Sequence, residues 1–149
     1  MKQLKVDAIK NGTVIDHITA GKVLKVADIL NLHGTDVVMI GMNLASKRIG
    51  KKDIIKIENR ELSHNEVNSI ALIAPNATLT IIKNYDVVKK ESLEMPEYIE
   101  NLIVCPNPQC ITSIEDIPSK FKVTDNKPPK VRCVYCEKKY TIDKVKIRV

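Results

Sequence analysis

"CPNPQC" (105–110) and "CVYC" (133–136) contain every cysteine in the chain, and 22 residues separate the two runs. Cys105 and Cys110 leave four residues between them, and Cys133 and Cys136 leave two. Either gap suits a short knuckle that turns two sulfurs toward one ion. Two knuckles together give the four-cysteine arrangement of a structural zinc site. Pro106 and Pro108 stiffen the first loop and lack amide protons, which leaves the other amides free to point at thiolates. Paired disulfides would need an oxidising compartment. The N-terminus "MKQLKVDAIK" has no apolar signal core, and no apolar run reaches membrane-spanning length. The expectation is a cytoplasmic chain holding one structural Zn2+. A redox reading of "CVYC" has no βαβ context to support it.

Four thiolates also leave no open coordination position for water or substrate, which a catalytic zinc requires. His17, His33 and His64 lie far upstream and have no ligand spacing to one another. The metal is therefore read as folding a module, not as running a reaction.

Working outward from the cysteines, the chain of 149 residues reads as two parts. Residues 1–90 are well patterned with Val, Ile and Leu. "ESLEMPEYIE" (91–100) breaks the pattern with charge and a proline, and reads as a linker. The final 49 residues are too few for a generous core, so a metal staple is needed there. The expected division is 1–95 and 96–149.

Charge is unevenly shared. Residues 1–100 carry 14 Lys+Arg against 13 Asp+Glu, and residues 101–149 carry 10 against 5. A basic zinc module suggests nucleic acid. Four thiolates and one zinc ion add about −2, however, which brings the folded module to about +3. Phe121, Tyr135 and Tyr140 are the only aromatics after residue 100, few for a single-strand stacking platform. A basic zinc ribbon binding nucleic acid is thus the second reading.

The first ninety residues alternate strand and helix. "LKVDAIK" (4–10) reads as a half-buried strand, and "NGTVIDHI" (11–18) as a tight turn returning to extended chain. "KVLKVADILNL" places Val23, Val26, Ala27 and Leu30 on one helical face, closed by His33-Gly34. "DVVMIGM" and "DIIKIEN" are strands joined by a loop from Ser46 to Lys52. "SHNEVNSIALIAP" opens with Ser63 and Glu66 in capping-box spacing and stops before Pro75. "ATLTIIK" and "YDVVKK" close the unit around Asn84. The expected fold class is α+β: a ferredoxin-like βαββαβ sandwich with an extra strand, then a small all-β zinc-ribbon-like (rubredoxin-like) domain. No nucleophile elbow, Gly-rich phosphate loop or HExxH pair is present. Lys56, Lys90 and Asp16-His17 read either as solvated outward faces or as a phosphate and ribose site. Spacing leaves both open.

"GTVIDHI", "KKDIIKIEN", "ALIAPNAT", "NYDVVKK" and "VCPNPQC…CVYCEKKY" resemble the regulatory chain of aspartate carbamoyltransferase, nearly end to end and in order. The resemblance implies a non-enzymatic subunit of pyrimidine biosynthesis. Its N-terminal domain would pair with a second copy and bind CTP, ATP or UTP. Its zinc domain would dock on the catalytic chain, in an assembly of two catalytic trimers and three regulatory dimers. Carried over by motif, Val6, Asp7, Ala8 and Ile9 line the base pocket, and Tyr85 and Val87 close it. Asp16 faces the ribose, Lys56 and Lys90 the ribose and phosphates, and His17 the phosphate end, with Thr80 also in the site. Asn107, Gln109 and Glu137 fall on the docking surface.

Overall fold

The computed structural model describes residues 8–32, 36–126 and 129–147. The N-terminal part runs β1 (Gly12–Thr19), α1 (Val23–Leu30), β2 (Val38–Ser46), β3 (Gly50–Glu58), α2 (His64–Ile73), β4 (Thr78–Lys83), β5 (Asp86–Ser92). Its five strands form one antiparallel sheet in the order β2-β3-β1-β4-β5. Set aside β5 and this is the split-βαβ order, with each helix joining two strands that flank a third. Ile15, Ile18, Ile55, Ile57 and Leu79 point from the sheet into a core shared with Val26 and Leu30 of α1 and Ile70 of α2. The alternate residues face away from the helices, where Ile9, Val14 and Ile54 form a smaller buried cluster.

The helices begin and end where local chemistry dictates. Ser63 accepts the Glu66 amide at 3.2 Å and Glu66 accepts the Ser63 amide at 2.9 Å, completing the capping box of α2. Helix α1 has no side-chain cap from its own sequence. Its start is held instead by Asp53 of β3, whose Oδ2 accepts the Gly21 amide at 2.8 Å and the Val23 amide at 3.2 Å. Asp53 Oδ1 accepts the Asn43 amide of β2 at 2.9 Å, and the side chain is fully buried. This carboxylate sits where both neighbouring strands break register, between Ile15 and Ile18 of β1 and between Gly41 and Leu44 of β2. His17 and Asn43, in those breaks, take φ of 56° and 57°. Gly12 opens β1 against β3 so closely that a Cβ would meet the Ile57 carbonyl oxygen at 2.1 Å.

The C-terminal part adds β6 (Tyr98–Glu100), β7 (Ile103–Val104), α3 (Ile111–Ile114), β8 (Lys120–Asn126), β9 (Pro129–Cys133), β10 (Lys139–Thr141), a 3-10 turn (Ile142–Lys144) and β11 (Lys146–Ile147). The order β10-β9-β8-β6 makes one sheet, and β11-β7 a second ribbon. Ile99, Ile103, Phe121, Val131 and three cysteines form its core, joined by Leu72 from α2.

Three local expectations change. Ala8 to Lys10 are not a strand, and residues 4–7 and His33-Gly34 lie outside the described residues. The linker expected over 91–100 is shorter, because Thr78 pairs with Ser92 and Tyr98 pairs with Lys122. The loop from Ser46 to Lys52 is a tight hairpin with Ser46 opposite Gly50. In the last two cases the strand ladder extends through residues whose side chains carry no apolar alternation.

Asp53→Ala should strand three amides that the carboxylate now satisfies. The expected loss is about 2–4 kcal/mol of unfolding free energy in urea titration, with weakened helical signal from α1.

Candidate functional site

The four cysteine sulfurs lie within 4.8 Å of one another. Sγ of Cys105 is 3.7 Å from that of Cys136, and Sγ of Cys110 is 3.7 Å from that of Cys133, so the cysteines are reduced and not bridged. A tetrahedral ion with metal–sulfur bonds of ~2.3 Å separates its sulfurs by ~3.8 Å. The donor set therefore fits a four-coordinate ion with no position left open. The knuckles supply amides to the sulfurs, from Asn107 to Cys105, from Tyr135 and Cys136 to Cys133, and from Lys138 to Cys136. Burial pushes the Cys105 thiol up to about 12, and burial raises Cys133 too. At Cys136 burial also pushes upward. The Lys138 amide, the Asn107 side chain and the neighbouring thiols outweigh it and bring the group to about 7. Four thiolates this close together repel one another, and a cation among them is what lets them ionise together.

Asn107 is part of this architecture. Its Oδ1 accepts the Gln109 amide at 3.1 Å, its carbonyl accepts the Ser113 hydroxyl at 2.9 Å, and its side chain hydrogen-bonds Cys136. Gln109 and Glu137 are exposed beside it, Glu137 with φ of 63° at the end of the second knuckle. Thr112, 3.2 Å from the Cys110 sulfur through its hydroxyl, was not legible in the cysteine spacing.

The other candidate residues gather on the helix-free face of the N-terminal sheet. Met39, Lys56, Val14, Thr80 and Lys90 are successive Cα partners across all five strands, so one row puts both lysines on the same side. Val87 is opposite Ile82 on that side, and Ile9 is buried against Val14 and Ile54. Tyr85, in the β4–β5 turn, donates its amide to the Lys10 carbonyl at 2.9 Å and keeps its ring exposed. Ala8 is exposed nearby in sequence, and Val6 and Asp7 lie outside the described residues.

Asp16 and His17 occupy the bulge of the central strand β1, two and three residues along from Val14. Asp16 accepts the His17 amide at 2.6 Å and pairs with Lys52 at 2.9 Å. The His17 ring Nδ1 is 3.0 Å from the Thr78 hydroxyl. Burial lowers the His17 pKa; Asp16 opposes that, while Lys52, Arg48 and Lys90 reinforce it. Lys52 and Thr78 were missed in the sequence, because only strand register brings them to residues 36 and 61 positions away.

A split-βαβ sheet domain followed by a four-thiol β-module defines a two-part, metal-binding α+β protein. The sequence model of the aspartate carbamoyltransferase regulatory chain allosteric domain matches residues 4–94, and that of the same chain's metal binding domain matches residues 97–146. The chain is 54% identical over 141 residues to the aspartate carbamoyltransferase regulatory chain of Pyrococcus horikoshii, covering 93% of each. It is 51% identical over 138 residues to that of Thermococcus sibiricus, covering 93% of this chain and 92% of the relative. It is 50% identical over 138 residues to that of Methanocaldococcus jannaschii, covering 93% of each. The chain belongs to the aspartate carbamoyltransferase regulatory chain family, whose members are non-catalytic subunits. Among the described residues no helix is long and apolar enough to cross a membrane.

Cys110→Ser should abolish stoichiometric metal binding and unfold the C-terminal sheet, leaving the N-terminal sheet folded. Metal analysis alongside circular dichroism checks this. Acid should release the ion, because protons compete for the same thiolates.

Proposed function

We propose that the chain is the allosteric subunit through which nucleotides act on catalytic trimers of aspartate carbamoyltransferase. The observation that carries this reading is the row Lys56–Val14–Thr80–Lys90, with Asp16 and His17 just beyond Val14 along β1. Two ammonium groups flank a strip containing an apolar side chain and a hydroxyl, which is the chemistry of a nucleotide's phosphates, base and ribose. Ala8, Ile9, Tyr85 and Val87 supply the base side, and Val6 and Asp7 extend it. Asp16 takes the ribose, Lys56 and Lys90 the ribose and phosphates, and His17 the phosphate end. CTP, ATP and UTP are the effectors, and no chemistry is done on them.

The ion is zinc, one per chain, since a closed four-thiolate site suits a structural zinc. Residues 1–95 bind nucleotide and pair with a second copy, and residues 96–149 dock on the catalytic chain. Gln109, Glu137 and the knuckle braced by Asn107 form the contact. Two catalytic trimers and three regulatory dimers make up the cytoplasmic assembly. Nucleotides shift it only by their differential affinity for its quaternary states, on a scale of ~1–3 kcal/mol. Between the two halves, Lys22 Nζ in the loop after β1 lies 3.9 Å from Asp143.

Calorimetry of the full chain with CTP and ATP tests the site. Lys56→Ala should weaken binding about tenfold or more, the scale of a lost charge-assisted contact. Heats equal to those of the unmodified chain would refute the assignment. His17 adds a pH signature. Its lowered pKa leaves it neutral at pH 7, and a bound phosphate favours the protonated ring. Affinity should therefore rise as pH falls from 8 to 6 (roughly the span of an ordinary imidazole titration), and His17→Gln should flatten that rise.

Glu137→Gln should leave zinc content unchanged and weaken assembly by ~1–3 kcal/mol. Sedimentation of mixed regulatory and catalytic chains measures it. An unchanged dissociation constant would place the contact elsewhere.

A further inference from the structure

The sulfurs of the metal site differ in what hydrogen-bonds them. Backbone amides serve Cys105, Cys133 and Cys136. At Cys110 the partner is a side-chain hydroxyl: Thr112 Oγ1 lies 3.2 Å from the sulfur, two residues along in the first turn of α3.

Metal chemistry fixes the direction of that bond. A thiol and a hydroxyl can each donate to the other, but a coordinated sulfur has lost its proton. The Thr112 hydroxyl is then the donor and the sulfur the acceptor. A threonine in a helical turn ordinarily gives this proton to a carbonyl three or four residues back. Thr112 places it on the sulfur two residues back.

The surrounding turn holds Thr112 in place. Ser113 donates its amide to the Cys110 carbonyl at 2.8 Å and its hydroxyl to the Asn107 carbonyl at 2.9 Å. Glu115 donates its amide to the Ile111 carbonyl at 2.8 Å. The backbone is closed on both sides of Thr112, so its hydroxyl reaches the sulfur at little ordering cost.

Burial gives the contact its weight. Cys110 is only 1% exposed, so water does not replace the hydroxyl once it is removed. Four thiolates around a divalent ion carry a charge of about −2. Hydrogen bonds donated to the sulfurs disperse that charge. The Asn107 side chain supplies one at Cys136, which is less buried.

We propose that Thr112 is a positioning residue of the metal site: its hydroxyl donates to the ligating Cys110 sulfur, orients it toward the ion and disperses its charge, and so sets how tightly the ion is kept. The proposal rests on the reading of the four cysteines as one metal site.

The test uses the full chain, stripped of metal and reloaded. Zinc affinity is measured by competition with a chelating dye, and cobalt in place of zinc reports the sulfur-to-metal charge-transfer absorption. Thr112→Val keeps the shape and removes the hydroxyl. It should weaken zinc binding about tenfold, as loss of a partner to a ligand does. It should also move the cobalt band to longer wavelength, because a sulfur without its hydrogen bond gives up electron density more readily. Thr112→Ser should restore both. Thr124→Val, which removes a hydroxyl on β8 that donates to the Lys130 carbonyl at 3.4 Å, should change neither. If Thr112→Val does not fold, Thr112→Ala carries the same two expectations, and unfolding of both overturns the proposal. Unmodified affinity and an unmoved band overturn it as well. So does weaker binding with an unmoved band, which reduces Thr112 to a packing residue, or a Ser variant no better than the Val variant. Failure of the unmodified chain to bind zinc or cobalt would sink the metal site and this role with it, whereas the other failures leave the metal site standing.

Discussion

The convergence of four sulfurs on one point is the constraint on which the C-terminal half depends. Three of the eight buried residues in its core are cysteines, and Phe121 is its one large aromatic. So little apolar mass does not order a sheet and a second ribbon unaided. A cation among the thiolates ties two short knuckles together across the 22 residues between them, and the amides of Asn107, Tyr135, Cys136 and Lys138 already aim at the sulfurs. The N-terminal half needs no such device, since its helices cover one sheet face with a continuous aliphatic core.

The opposite sheet face is left without helices, and Ile9 packs over Val14 and Ile54 there. A strand alternates its side chains, so the residues that do not serve the helices are presented together in rows. Val14, Lys56, Thr80 and Lys90 share such a row although they come from four strands. β5 is exposed along its whole length, which leaves Lys90 and Val87 accessible at the margin of the row. The bulge at Asp16-His17 then places two polar residues along β1 beyond Val14 without disturbing Ile15 or Ile18 in the core.

Features encoded within a few residues were legible in the sequence. The capping box of α2, the four-cysteine pattern and the alternation that yields the split-βαβ order all depend on local spacing. Features encoded by register were not. Asp53 stands at the head of "DIIKIEN" with no local signal of its role, and it is fully buried because two bulges and a helix start meet over it. Lys52 and Thr78 join Asp16 and His17 only once strands far apart in sequence are aligned. The strand Tyr98–Glu100 was hidden for the same reason. Its charged flanks resemble a linker until Lys120–Lys122 is laid beside it.

Helix α2 divides its loyalties between the two halves. Ile70, Ala71 and Ala74 are buried in the first core, while Leu72 is buried in the second beside Ile99 and Ile103. Withdrawing Leu72 from that socket would leave a hole of side-chain size, at a cost of ~2–5 kcal/mol. Leu72 thus rivets the two halves together, and any separation of them carries that cost.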